Sequence, residues 1–324
     1  MIPASAIKKE SIYFHELHQH KDAMSEEVKE GLSRRQKSLS PKYFYDQHGS
    51  KLFDKITQQP EYYPTVTELK LLKQHMPEIA ELMGNNSILM ELGSGSSIKI
   101  RLLLEALQPD IYVPMDISRE HLIVSSQKLA SDYPWLEIHA AYVDYSQSWT
   151  IPDFGPGRYN AFFPGSSIGN FEPDAALKLL KQISELVGKK GGLLIGVDVK
   201  KDTTKLEQAY NDANGVTAEF NLNILQHINH HLDADFDLDK FAHKAFYNEE
   251  FGRIEMHLKC LVDHQVHIGD DSYDFKAGET IHTENSYKYS VDQLQALAAK
   301  AGFSPVKVWL DSDGLFSIHY FTVA

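Results

Sequence analysis

The run Glu91-Leu92-Gly93-Ser94-Gly95-Ser96-Ser97 follows the apolar stretch "SILMEL" and opens a helical pattern. Glycines at 93 and 95 let the backbone approach a ligand that a Cβ would obstruct. Two further apolar stretches end in acidic residues: "IYVPMDIS" at Asp116 and "LEIHAAYVDY" at Asp144-Tyr145. A carboxylate at the first position can accept both hydroxyls of a ribose, and an aspartate followed by a tyrosine suits an adenine amino group and ring face. A dinucleotide fingerprint would want a third glycine where Ile98 stands, and no Gly-Lys-Ser/Thr of a phosphate loop follows. The three acceptors therefore suit an adenosine without a pyrophosphate.

Such residues need strand ends to hold them. From Thr67 an amphipathic pattern runs to Gly84, and apolar strands then alternate with helices through "YNAFFPGSSIGNF", a helix from about Pro173 to "GKKGG", and "LLIGVDVK". That alternation predicts a doubly wound, Rossmann-like α/β sheet covered on both faces, with ligand at the carboxyl ends of its strands. After Lys201 come a polar helix over "TTKLEQAYNDAN", a His/Asp-rich stretch, and alternating runs around 251–270 and 279–289, the pattern of antiparallel strands. A helix from Ser290 and the strands "PVKVWL" and "LFSIHYFTVA" can rejoin the parallel sheet as an antiparallel edge pair. The reading is α/β with a second, smaller α+β domain.

The chain has 324 residues, enough for two domains, and its 42% hydrophobic and 24% charged residues are those of a soluble globular protein. A formal net charge of -13 and the lack of a long Lys/Arg run argue against nucleic acid. The single cysteine, Cys260, forbids an intramolecular disulfide and suits a reducing compartment. With no signal-peptide core and no run of about 18 apolar residues, a cytoplasmic protein off the membrane is expected.

The set "ELGSGSS", "MDIS" and "VDY" resembles class I S-adenosylmethionine-dependent methyltransferases. Three sharper segments, "PKYFYDQHGSKLFDKITQQPEYYPTVTE" at 41–68, "FFPGSSIGNF" at 162–171 and "TENSYKYS" at 283–290, resemble the histidine Nα-methyltransferase family of ergothioneine biosynthesis, and the similarity runs from about residue 35 to the end. The resemblance implies an amino-acid pocket with Tyr45 and Tyr62, Gly165 and Asn170 at the substrate amino and carboxylate groups, and Tyr210 at the carboxylate. It implies Glu284 and Ser286 at the imidazole with Met256 beside it, and S-adenosylmethionine (leaving as S-adenosylhomocysteine) held by Gly93, Ser94, Gly95, Lys99, Asp116, Asp144 and Tyr145. It further implies three methyl transfers from L-histidine to hercynine. On this basis residues 68–200 and 290–324 are expected to bind the cofactor, and 1–67 and 201–289 the substrate. Neither a metal nor an obligatory protein partner is expected.

Methyl transfer is an in-line displacement, so orientation, with effective molarities of about 10⁵–10⁸ M, should outweigh a base worth about 10²–10⁴-fold. The Asn170 amide can accept from an amine and donate to a carboxylate at once, making it and Tyr45 the catalytic candidates. Tyr45, with a reference pKa near 10, is an orienter before it is a base. Alternatives are a relative acting on another amine (a tryptophan derivative or a thiolated histidine), a catalytically silent adenosylmethionine-binding protein, and a dinucleotide oxidoreductase, which Ile98 disfavours. His227 and His231 lack a third zinc ligand, and the stretch from Asp233 lacks the glycine and glutamate of a calcium loop, with Leu238 and Lys244 in their places.

Overall fold

The computed structural model describes residues 12–17, 23–85, 87–95, 97–145, 147 and 149–324. Ser96 of the glycine turn lies outside the described residues. An eight-stranded sheet forms the larger layer. Its strands are β1 (Ile12–Glu16), β3 (Ser87–Leu92), β4 (Ile111–Asp116), β5 (Glu137–Tyr142), β6 (Arg158–Phe163), β7 (Gly192–Asp198), β13 (Phe303–Leu310) and β14 (Phe316–Val323). A smaller four-stranded sheet contains β2 (Lys37–Ser38), β8 (Phe241–Asn248), β9 (Arg253–Cys260) and β12 (Thr280–Tyr287), and β10 (His264–Ile268) pairs with β11 (Asp271–Phe275) as a ribbon.

The large sheet has the order β1-β5-β4-β3-β6-β7-β14-β13, parallel except where β14 pairs antiparallel with β7 and β13. Every residue of β3 and β7 is buried, as expected of strands covered on both faces. The chain leaves β3 toward β4 on one side and returns as β6 on the other, which opens a crevice at the strand ends between them. One apolar layer packs α6 (Pro173–Val187) and α9 (Val291–Lys300) on one face; the other packs α3 (Tyr63–Met83) and α4 (Ile100–Leu107), with Leu129 of α5 (Arg119–Asp132). A third core joins the small sheet to α1 (Ala23–Ser33), α2 (Gln47–Ile56) and α8 (Val216–Leu232).

Three local outcomes differ from the sequence pattern. Strand β1, in the N-terminal span expected with the substrate-binding part, joins the large sheet beside β5. The helix expected over "TTKLEQAYNDAN" stops as α7 (Thr203–Gln208), because the Asp212 carboxylate turns to accept from the amides of Val216 and Thr217, each at 2.8 Å, and starts α8. The histidine-rich stretch therefore lies inside α8. Strands β8 and β11 carry too little alternation to stand out in the sequence, and take their conformation from β9 and β10.

Candidate active site

At the carboxyl ends of β3, β4 and β6 lies a groove of about 380 Å³, lined by Gly93, Gly95, Asp116, Asp144, Tyr145 and, at its inner end, Tyr45 and Asn170. Gly93 and Gly95 have φ of 71° and 43°, a conformation that favours glycine, and a Cβ built on Gly93 would meet nothing nearer than Ser167 Oγ at 3.9 Å. The space above the turn is thus open to a ligand. Asp116 accepts from the amides of Gly95 (3.0 Å) and Ser118 (2.8 Å), one per carboxylate oxygen, so each oxygen retains a lone pair for a hydroxyl. Burial raises its pKa above the ordinary value. The Tyr145 hydroxyl donates to Met115 O and accepts from Gly93 N, both at 2.8 Å, which fixes the ring that lines the groove.

Asp144 stands two residues beyond β5 and receives Lys42 Nζ at 3.0 Å. Ser94 and Lys99 do not line the groove. The Ser94 hydroxyl is buried with no hydrogen-bond partner, and Lys99 turns under the loop after β6 to pair with Glu68 at 2.5 Å. Carboxylates at Asp116 and Asp144 and the Tyr145 ring thus line one groove at the strand ends.

A second, smaller cavity adjoins the groove. All eight residues expected around an amino acid line it: Tyr45, Tyr62, Gly165, Asn170, Tyr210, Met256, Glu284 and Ser286. Tyr45, Phe53, Ser167 and Asn170 belong to both cavities, so the two open on each other there. The loop "PGSSIGN" reaches this point through two close approaches. Gly165 donates its amide to Glu68 (2.9 and 3.1 Å), which leaves that N–H unavailable to a substrate. Gly169 lies so near β12 that a Cβ would stand 2.6 Å from Tyr287 O. Asn170, next in the chain, then lines the same cavity as Glu284, close enough to favour its charged form.

A family model described as histidine-specific, S-adenosylmethionine-dependent methyltransferase matches residues 24–323. This chain belongs to that family. It is 40% identical over 304 residues to the histidine N-alpha-methyltransferase of Mycolicibacterium smegmatis, covering 92% of this chain and 94% of the relative. The counterpart in Mycobacterium tuberculosis is 39% identical over 91% of this chain and 94% of its own length. Ergothioneine biosynthesis protein 1 of Neurospora crassa is 32% identical over 82% of this chain, which spans 31% of that longer protein.

Within this methyltransferase, the pocket tyrosines are kept protonated. Burial, then the Glu284 charge, holds the Tyr45 phenol well above its ordinary pKa, and burial does the same for Tyr62. Tyr45 is therefore a hydrogen-bonding orienter. Glu284 is half-buried, and desolvation raises it to about 7 even though Lys288 and Asn170 pull it down. Behind the pocket, Lys288 Nζ donates to Tyr210 Oη at 3.0 Å and to Ser286 Oγ at 2.8 Å, and pairs with Asp198 at 2.9 Å. Burial opposes ionisation of Asp198, but Lys288 and Lys201 outweigh it and hold the carboxyl below its usual range. Tyr63 and Lys201 complete the cluster, both bonded to Asp198.

Sequence reading missed Phe53 and Ser167, which line both cavities, and Glu68, Lys42 and Lys288, which hold the walls in place. Only Lys288 carried a usable signal, since 284, 286 and 288 fall on one face of a strand. His227 donates its Nδ1–H to Tyr43 O (2.6 Å), a structural contact. Among the described residues, Glu255, His257 and His282 bring their donor atoms within 4.8 Å of one another; Arg253 already holds Glu255 (2.8 and 2.9 Å), and the His257 and His282 rings stack.

Replacing Gly169 by Ala should force the loop off β12 and lower kcat/KM for the amino acid by about 10²-fold, the order expected of a misplacement near 1 Å, with little change in KM for S-adenosylmethionine. Steady-state kinetics with each substrate varied checks this. Glu284 supplies a pH test of stability. Its pKa is raised in the fold, so its contribution is present below the ordinary carboxylate value and is lost as pH rises through about 7. Glu284→Gln should therefore raise the thermal midpoint more at pH 8 than at pH 5, and a pH-independent difference would contradict the shift.

Proposed function

We propose that this methyltransferase transfers methyl groups to the α-amino nitrogen of L-histidine three times in succession, giving hercynine for ergothioneine biosynthesis. One observation carries the reading: a cavity lined by Asn170, Glu284 and three tyrosines opens on the adenosine groove at Asn170 and Tyr45. S-adenosylmethionine, when bound, supplies an electrophilic sulfonium methyl. The remaining work falls to the protein.

Asp116, Asp144 and the Tyr145 ring would hold the cofactor, with the backbone of Gly93 and Gly95 beneath it. Asn170 lies where the cavities meet, and its amide can hold an amine and a carboxylate together. Tyr45 stands beside it as an O–H donor or acceptor. Glu284 offers an oxygen to an imidazole N–H, and Met256, 1% exposed, closes the wall beside it. A desolvated acceptor of this kind discriminates strongly against an apolar side chain, because it would be left unpaired. Among the described residues no helix is long and apolar enough to cross a membrane. Together with the lone buried Cys260, that supports work on small molecules in the cytoplasm.

Mass spectrometry of products from an amino-acid panel with S-adenosylmethionine should show histidine gaining one, two and three methyl groups. Methylation of a tryptophan derivative or a thiolated histidine in its place would overturn the substrate, and no turnover with intact cofactor binding would make the protein a silent binder. Glu284→Ala should raise KM for histidine roughly 10- to 100-fold, as for a charged hydrogen bond of about 1.5–3 kcal/mol, and leave KM for S-adenosylmethionine nearly unchanged.

A further inference from the structure

Ser286 lines the amino-acid cavity, and both of its acceptor positions are filled from behind. The Tyr210 hydroxyl donates to its Oγ at 2.8 Å, and Lys288 Nζ donates at 2.8 Å. A hydroxyl has two lone pairs and one O–H, so the hydrogen is all that Ser286 has left to offer the cavity. Lys288 is equally committed. Its three N–H groups go to Ser286, to Tyr210 (3.0 Å) and to Asp198 (2.9 Å), and it is 2% exposed. Tyr210, accepting from Lys288 and donating to Ser286, cannot reverse without breaking the cluster.

Two places along β12, Glu284 offers the opposite polarity, a carboxylate oxygen. A neutral imidazole carries one N–H and one bare nitrogen, whereas an imidazolium carries two N–H groups. We infer that Lys288 is a positioning residue that locks Ser286 as a donor, so that this wall accepts the neutral imidazole of histidine and rejects its protonated form. The inference rests on the reading that the substrate ring meets Glu284 and Ser286. The other titratable groups around the wall are Tyr45 and Tyr62 from the N-terminal part, Tyr210 after α7, and Asp198 and Lys201 at the end of β7. All three tyrosines are held above their ordinary pKa values and Asp198 below its own, so over pH 5.5–7.5 Glu284 is the group lining the cavity that titrates besides the substrate ring, while Lys201, lowered by burial to about 8, lies behind the wall and begins to lose its proton only at the top of the range.

The test measures histidine binding by calorimetry to enzyme loaded with S-adenosylhomocysteine, at pH 7.5 and pH 5.5. Imidazole with a reference pKa of about 6.5 loses roughly tenfold of its neutral form over that range, so the wild-type Kd should rise about tenfold. Triazolylalanine, whose ring stays neutral throughout, meets only the titration of Glu284, so its Kd in the wild type should rise clearly less than that of histidine. In Lys288→Met, Ser286 can turn and accept, so histidine should bind more weakly at pH 7.5 and lose less than about threefold on acidification. Ser286→Ala, a smaller change that leaves the Lys288–Asp198 pair in place, should likewise flatten the acid loss.

A tenfold acid loss retained in both variants, or an equal loss for triazolylalanine in the wild type, would overturn the role of Lys288 and assign the titration to Glu284. Wild type that binds no histidine but another amino acid would instead overturn the substrate reading, and this inference with it.

Discussion

The Asp198 carboxylate sits at the end of β7 with no surface exposure, and a lone charge there would be prohibitively unstable. Its partners come from three separate parts of the chain: Tyr63 at the start of α3, Lys201 just past β7, and Lys288 from the end of β12. Its backbone adds two more ties, donating to Ser166 Oγ and accepting from the Tyr289 amide. The large sheet, the small sheet and the loop before Asn170 therefore meet at one neutralised charge. Because these contacts share one carboxylate, loss of any of them weakens the rest, so the pocket walls are coupled through it.

From that anchor the remaining geometry follows by close approach. Glycine at 169 lets the loop lie on β12, and a Cβ at Gly196 would stand 2.0 Å from Glu68 Oε1, so that glycine makes room for the carboxylate holding both Lys99 and the Gly165 amide. Neither glycine touches the amino-acid cavity. Both act by allowing backbone and carboxylate to sit where a methyl group would be, which is why Asn170 can stand between the cavity and the adenosine groove.

Much of this was legible in the sequence, and for physical reasons. The alternation of short apolar runs with helices specified a parallel sheet, and strand-end acids marked the groove, because those signals are local. All eight expected pocket residues come together around one cavity, from segments up to 241 positions apart, Tyr45 and Ser286. What was not legible depends on long-range pairing: β1 is a strand because β5 offers an edge, and Glu68 and Lys42 are site residues because of which carboxylate or amine the fold brings opposite them. The family resemblance implied Lys99 at the cofactor, and in the structure it pairs with the buried Glu68 below the loop.

The turn at Pro41–Phe44 connects two parts of the site. Lys42 within it is tied to Asp144 in the adenosine groove and to Glu27 on α1, while Tyr45 immediately after it lines the amino-acid cavity. Lys42 reaches Asp144 through one carboxylate oxygen, so a nucleoside bound at the other would share that carboxylate with the turn that carries Tyr45. Any free energy passed along this turn is shared reciprocally, so an amino acid that fixes Tyr45 alters affinity for the nucleoside by the same factor. The same short turn thus presents one side chain to each cavity, and the positions of the two ligands are set from a single stretch of backbone.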